Sequence, residues 1–297
     1  MNIKTPLIKW GWVRAVLYFV LIAGGIFAIQ MLNHPLEDLI NLWGYGELSN
    51  FVLFVIVYSI STLFVFLFTW LCLKFIDRLH FQDLGFGLKD NVNEAGIGFF
   101  VAVFLLGLGS LILIATGHLN ILSAKFDFQT FGLQLVLMVL VTFTEEITFR
   151  GYLLRNFMLS VNKWVALLIS ALIFALVHIG NPDITFIAVV NVFLAGLLLG
   201  INYIYTKNLW YSIVLHFTWN FMQGAVLGYD VSGFKLPGIF TQTLFGPAYI
   251  TGGEFGFEGS IVCSALLLVA TVVLYLVFEK RYGSPAKPII SVNPIFS

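Results

Sequence analysis

The sequence predicts an all-α protein, a polytopic membrane helix bundle of about eight transmembrane helices, on three observations. Of 297 residues, 60% are hydrophobic and only 10% charged, with a mean hydropathy of +0.97. Soluble domains carry roughly 25% charged residues and a polar skin, so much of this chain has lipid for its solvent. The apolar residues also gather in eight long runs free of Lys, Arg, Asp and Glu. Finally, 15 basic residues balance 15 acidic ones, without the basic surplus that nucleic-acid binding would want. The two cysteines, Cys72 and Cys263, lie in separate apolar runs with no CxxC or Cys/His cluster, which argues against a disulfide framework or structural zinc.

The runs are 15–36, 51–73, 95–124, 128–144, 164–182, 184–206, 208–229 and 259–278. Most reach the ~20 residues an α-helix needs to cross a bilayer. The first follows a basic start, as a signal peptide would, but its 22 residues exceed an h-region of about 7 to 15, so it is read as a span. The fourth stops at Glu145 and Glu146 yet resumes with Ile147, Phe149, Tyr152, Leu153 and Leu154, giving one helix from about 131 to 158 with acidic residues inside it. The longest hydrophilic piece, 230–258, is rich in glycine and aromatics and reads as a re-entrant or interfacial segment, tolerated only where protein or water covers its backbone. No internal repeat is evident, which weakens a transporter built from inverted halves. The sequence divides near residue 125, with three variable spans in 1–125 and the polar core plus the C-terminal helix in 126–297.

Basic residues orient the bundle. With a cytoplasmic N-terminus, thirteen (Lys4, Lys9, Arg14, Lys74, Arg78, Lys89, Arg150, Arg155, Lys163, Lys207, Lys280, Arg281 and Lys287) fall inside, and only Lys125 and Lys235 outside. The positive-inside rule then places both termini in the cytoplasm.

An ionisable group inside the membrane costs at least ~2.5 to 3.5 kcal/mol on insertion scales and is a functional hypothesis by default. Here the candidates are Glu145, Glu146, Arg150, His178 and His216, with Asn220 as a polar companion. His34, His80 and His118 fall in or near loops and read as solvated or interfacial. In Glu145-Glu146-Ile147-Thr148-Phe149-Arg150, Glu146 and Arg150 stand four apart with the acid first, the better order for an intrahelical pair. Glu145 points about 100° away and is left over. A carboxylate without its own partner in low dielectric is poised as a general base near neutral pH; the competing reading is a structural Glu/Arg cluster pinning helices together. Phe174 and His178 share one helix face, as do His216 and Asn220, though a lone intramembrane histidine is often only an interhelical hydrogen-bonding residue. Counted from the turn at Asn162, Glu145 and His178 come level, and at ~1.5 Å per residue Glu145 and Asn220 lie ~15 Å deep, a third to a half of the way in from the cytoplasmic face.

A base, two histidines and an amide in a dry cavity suit attack of water on a carbonyl, with neutral donors holding the oxyanion. HExxH, GxSxG, GxSG and GxGD motifs are absent. Zinc held by Glu145, His178 and His216 is chemically open at this point, since two histidines and a carboxylate can bind it.

At these residues the chain resembles the CAAX protease and bacteriocin-processing family (CPBP, or Abi), which includes type II CAAX prenyl endopeptidases and proteins like lysostaphin resistance protein A. The signature EExxxR, FxxxH and HxxxN reads here as Glu145-Glu146 to Arg150, continuing Gly151-Tyr152-Leu153, then Phe174 to His178, then His216 to Asn220. The likeness covers about 131–228, with a fainter trace in Gly252-Gly253-Glu254-Phe255-Gly256-Phe257-Glu258-Gly259-Ser260. It implies a conical, polar intramembrane catalytic cavity and a metal-free intramembrane endopeptidase in a bacterial cell membrane. In it Glu145 and His178 would activate water, His216 and Asn220 would form the oxyanion hole, and Glu146 and Arg150 would support the site. The partners expected are the bilayer and a membrane-associated protein or peptide substrate. Two other classes compete: a non-catalytic immunity or scaffold protein of the same fold, and a proton-coupled transporter using Glu145 and His178 as a relay.

Overall fold

The computed structural model describes residues 5–31, 35, 47–87 and 91–283. It is a helical bundle: α1 Gly11–Gln30, α2 Glu47–Leu71 running on through a π-helical turn Cys72–Asp77, and α3 Val92–Ala115. Next come α4 Phe128–Phe157, α5 Lys163–Val177, α6 Phe186–Gly200, α7 Trp210–Phe221 continuing as a π turn Met222–Val226, and α8 Ile261–Tyr282. Among the described residues seven helices are long and apolar enough to span a bilayer, and the chain is an integral membrane protein. The eighth expected span, α7, has 12 residues and its π turn 5 more, which makes it the short helix of the set. It is also the polar one, and most of its side chains are buried against the others.

Polar side chains fix where several helices begin. Asp127 accepts from the Thr130 amide at 2.8 Å to start α4, Asn162 from Trp164 and Val165 at 3.0 Å to start α5, and Ser260 from Cys263 at 3.0 Å to start α8. Each satisfies an amide that a first helical turn leaves without a partner. Outward faces are apolar and exposed, as at Leu17, Val20 and Phe27 on α1 and Phe100 and Phe104 on α3, which is what lipid contact demands.

The connections at each end of the bundle are knit together. At one end the Leu7 amide bonds the Ile76 carbonyl (2.7 Å), the Trp12 amide the Ser160 hydroxyl (2.9 Å), and the Leu209 amide the Gly85 carbonyl (2.9 Å). At the other end β1 Leu119–Ala124 pairs antiparallel with β2 Phe240–Leu244, with Leu119 opposite Leu244 and Ala124 opposite Phe240. This corrects one expectation. The run 95–124 is not one span: its helix stops at Ala115, turns at Gly117, and continues as a strand. The segment 230–258, expected to be re-entrant or interfacial, folds into β2, short helical turns and tight glycine bends. Gly256 is one such bend, at φ 92°, and a Cβ there would lie 1.8 Å from the Asp230 carbonyl oxygen.

Buried polar contacts tie α1 to the core. Arg14 pairs with Asp77, which also accepts from the Tyr152 hydroxyl at 2.7 Å, and the Tyr18 and Tyr152 rings stack at 3.9 Å. Of the loop histidines, His80 is exposed and His118 is half-buried against the Thr116 hydroxyl, while His34 lies outside the described residues, as do Lys4, Lys89 and Lys287.

Candidate active site

Glu145 and Glu146 stand at the point in α4 where α-helical geometry gives way to a π-helical stretch, Ile147–Leu154. Such a stretch leaves a carbonyl out of register, and the Phe149 oxygen is taken up by the Ser170 hydroxyl of α5 at 3.0 Å. A second π turn, Met222–Val226, begins two residues past Asn220. Both irregular turns therefore adjoin the polar motifs, where π segments are common.

The pairing expected of Glu146 is present. Its Oε1 accepts from Arg150 Nη1 at 2.9 Å, both side chains being buried. Arg150 also donates through Nη2 to the Gly196 carbonyl of α6 at 3.3 Å and lies over the Phe174 ring, 4.4 Å from its centre. The same ring stands 4.6 Å from the His178 ring and 6.2 Å, edge on, from that of His216. Phe174 thus serves as an apolar floor under one arginine and two imidazoles.

A further bond was not legible in the sequence. His216 Nδ1 donates to the same Glu146 Oε1 at 2.7 Å, joining α7 to α4 across 70 positions. This fixes the imidazole with Nε2 turned toward Glu145, whose Oε2 stands 3.8 Å away. That distance is too long for a hydrogen bond. Glu145 Oε2 has no hydrogen-bond partner. The imidazole within 4 Å of Glu145 is that of His216. His178 caps the end of α5, and its Nδ1 donates to the Phe174 carbonyl at 2.6 Å. That bond commits the Nδ1 hydrogen and leaves Nε2 as an acceptor in the neutral ring.

Glu145, His178, His216 and Asn220 all line one cavity of about 590 Å³. The remaining wall is largely apolar, with Val57, Leu137, Met138 and Val141 from α2 and α4. Among the described residues Glu145 is the only Asp, Glu, Lys or Arg on it. A smaller void of about 30 Å³ adjoins it behind His216 and Asn220, and Glu258 faces that void. Glu258 is the residue sequence reasoning left out. Its Oε1 accepts from Trp219 Nε1 at 3.0 Å, its Oε2 from the Ser232 amide and hydroxyl at 3.0 and 2.8 Å, and its backbone carbonyl from Asn191 at 2.7 Å. The glycine-rich stretch around it carries the fainter family trace, which assigns the acid no role.

The zinc reading does not fit this donor set. Among the described residues no three His, Cys, Asp or Glu side chains converge on a point that could hold an ion.

Residues 127–222 match the family model described as Type II CAAX prenyl endopeptidase Rce1-like. No curated protein and no solved structure matches the chain significantly. The matched segment begins at the cap of α4 and closes just past Asn220, so it takes in all six expected site residues. It is the family that the three motifs resemble, a family of CAAX-type membrane proteases.

Proposed function

We propose that this membrane protein, carrying a type II CAAX prenyl endopeptidase-like segment, is an intramembrane endopeptidase that cleaves a peptide bond with water activated by Glu145. The observation that supports the reading best is the difference between the two adjacent acids. Glu146 Oε1 is held by Arg150 and His216, whereas Glu145 is bonded by neither and lines the cavity; the Oε2 of each acid has no hydrogen-bond partner. A water between Glu145 and His178 Nε2 gives a proton to the carboxylate as its oxygen attacks the carbonyl carbon, and the proton then passes to the leaving amine. The Asn220 amide donates to the oxyanion. His216 joins it through Nε2 when the ring carries both protons, a cation balanced by the adjoining carboxylates. Residues 126–297 form the catalytic core in this reading, and 1–125 supply the wall that closes it.

The test uses detergent-purified protein and a library of quenched peptides. Activity is expected to survive stringent chelation, and Asn220→Ala is expected to lower turnover by ~10² to 10³, the usual loss of one oxyanion donor. Abolition by chelator with recovery on adding zinc would overturn the scheme. A scaffold protein or a proton-coupled transporter predicts no cleavage by the wild type at all.

A further inference from the structure

The cavity is not centred in the bundle. Besides helix side chains, its wall includes Asn181 and Pro182, which follow α5, and Val231, Ser232, Phe234 and Leu236, which follow α7. All of these belong to the end of the molecule that carries β1 and β2. There the Lys125 amide bonds the Ile239 carbonyl, Gln134 the Pro237 carbonyl, and Asn181 the Ser232 carbonyl. From the opposite end, the turns at 158–162 and 207–209 and the segment 78–87 contribute no lining residue. The His178 end of α5 is the same end: His178 comes 15 residues after Lys163, ~22 Å along the axis at 1.5 Å per residue.

Charge marks the two ends differently. Arg14 and Arg150 are buried and paired, so neither reports on a loop. Of the remaining basic residues described, eight (Lys9, Lys74, Arg78, Arg155, Lys163, Lys207, Lys280 and Arg281) lie toward the end without the sheet, and Lys125 and Lys235 toward the end with it. The asymmetry of the sequence survives removal of the buried pairs, and by the positive-inside rule the sheet end faces away from the cytoplasm.

Building on the peptidase reading, we infer that the cavity receives its substrate from the extracytoplasmic face, as a polypeptide whose residues near the cleaved bond are apolar and uncharged. A wall made largely of valine, leucine, methionine and phenylalanine, with neutral polar groups such as Gln30, Asn181 and Ser232, desolvates a charged side chain without a full counter-charge to repay it. Glu145, the one carboxylate on the wall among the described residues, repels an acidic one. A substrate confined to the cytoplasm would meet the basic end, where no described residue lines the cavity.

Thiol chemistry tests this without any assay of cleavage, so its failure and failure of the peptidase reading are separable. Cys72 and Cys263 are buried and give a quiet background. Met138→Cys places a thiol on the cavity wall, Leu236→Cys a second one nearer its rim, and Val161→Cys an exposed one at the basic end. A charged, membrane-impermeant thiol reagent should modify Met138→Cys and Leu236→Cys in intact spheroplasts and spare Val161→Cys, with the reverse in inverted vesicles. A saturating apolar uncharged peptide, at ten times its Kd, should slow modification of Met138→Cys by about tenfold, as mass action requires, and an acidic peptide of the same length should not. Modification of the cavity thiols only in inverted vesicles, or from neither side, would overturn the access route. Equal protection by both peptides, or by neither, would overturn the substrate class. Leu236→Cys carries the same decision where Met138→Cys does not fold.

Discussion

Two neighbouring carboxylates do different work because a helix turns about 100° between them. Glu146 faces Arg150 and His216 and holds two helices in register, while Glu145 faces the cavity. Loss of Glu146 or Arg150 leaves a buried charge without its partner, a change that costs ~3 to 5 kcal/mol in buried pairs. Glu146→Gln and Arg150→Ala should therefore lower thermal stability in detergent together with activity, whereas Glu145→Gln should abolish cleavage at unchanged or raised stability. A Glu145→Gln protein that melts well below the wild type would contradict this division. The Glu146–Arg150 pair was legible because both ends sit on one helix at a known spacing. The His216 bond was not, since no local rule links residues 70 positions apart, and it is this bond that brings His216 beside Glu145.

The helices were legible as runs of apolar residues, and their starts agree with the polar caps at Asp127, Asn162 and Ser260. The strands were not: Leu119–Ala124 continues the uncharged run of the helix before it, and its partner lies more than a hundred positions away in a glycine-rich segment. The order of that segment rests on Glu258, which ties Ser232 on the cavity wall to Trp219 beside Asn220. Glu258→Ala leaves those donors unpaired, at about 1 to 3 kcal/mol for each buried group. Thermal stability and activity should both fall, and Glu258→Gln should recover much of the loss, since its amide oxygen still accepts one of the bonds. Full activity in Glu258→Ala would remove the acid from the account. At the opposite end Lys207, next to α7, is pushed down to about 8 by burial and then by Lys163 and Arg155. Its unfolded value is 10.5, so between about 8 and 10.5 the unfolded chain binds the extra proton and stability rises with pH. Melting temperature in detergent should climb over that window, and the climb should shrink in Lys207→Gln; an identical profile in the variant would assign the effect elsewhere.

On the scale of the whole molecule, the division near residue 125 is one of sequence and not of packing. A Cβ on Gly98 of α3 would lie 2.7 Å from the Tyr211 carbonyl oxygen of α7, so the third helix seats directly on the helix that carries His216 and Asn220. Val57 and Tyr58 of α2 line the cavity itself. The motifs pointed to three helices, but the cavity requires α2 as well, which generic apolar sequence does not reveal. What the whole assembly accomplishes is one carboxylate, beside two imidazoles and an amide, on the wall of a largely apolar chamber. The measurement that tests its function most directly is a comparison of protein termini in host membranes carrying either the wild type or Glu145→Gln at equal abundance. The account predicts new N- and C-termini, at apolar and uncharged positions of extracytoplasmic or membrane-embedded segments, that are present with the wild type and absent with the variant. Identical sets of termini in the two membranes, with both proteins folded and equally abundant, would contradict it.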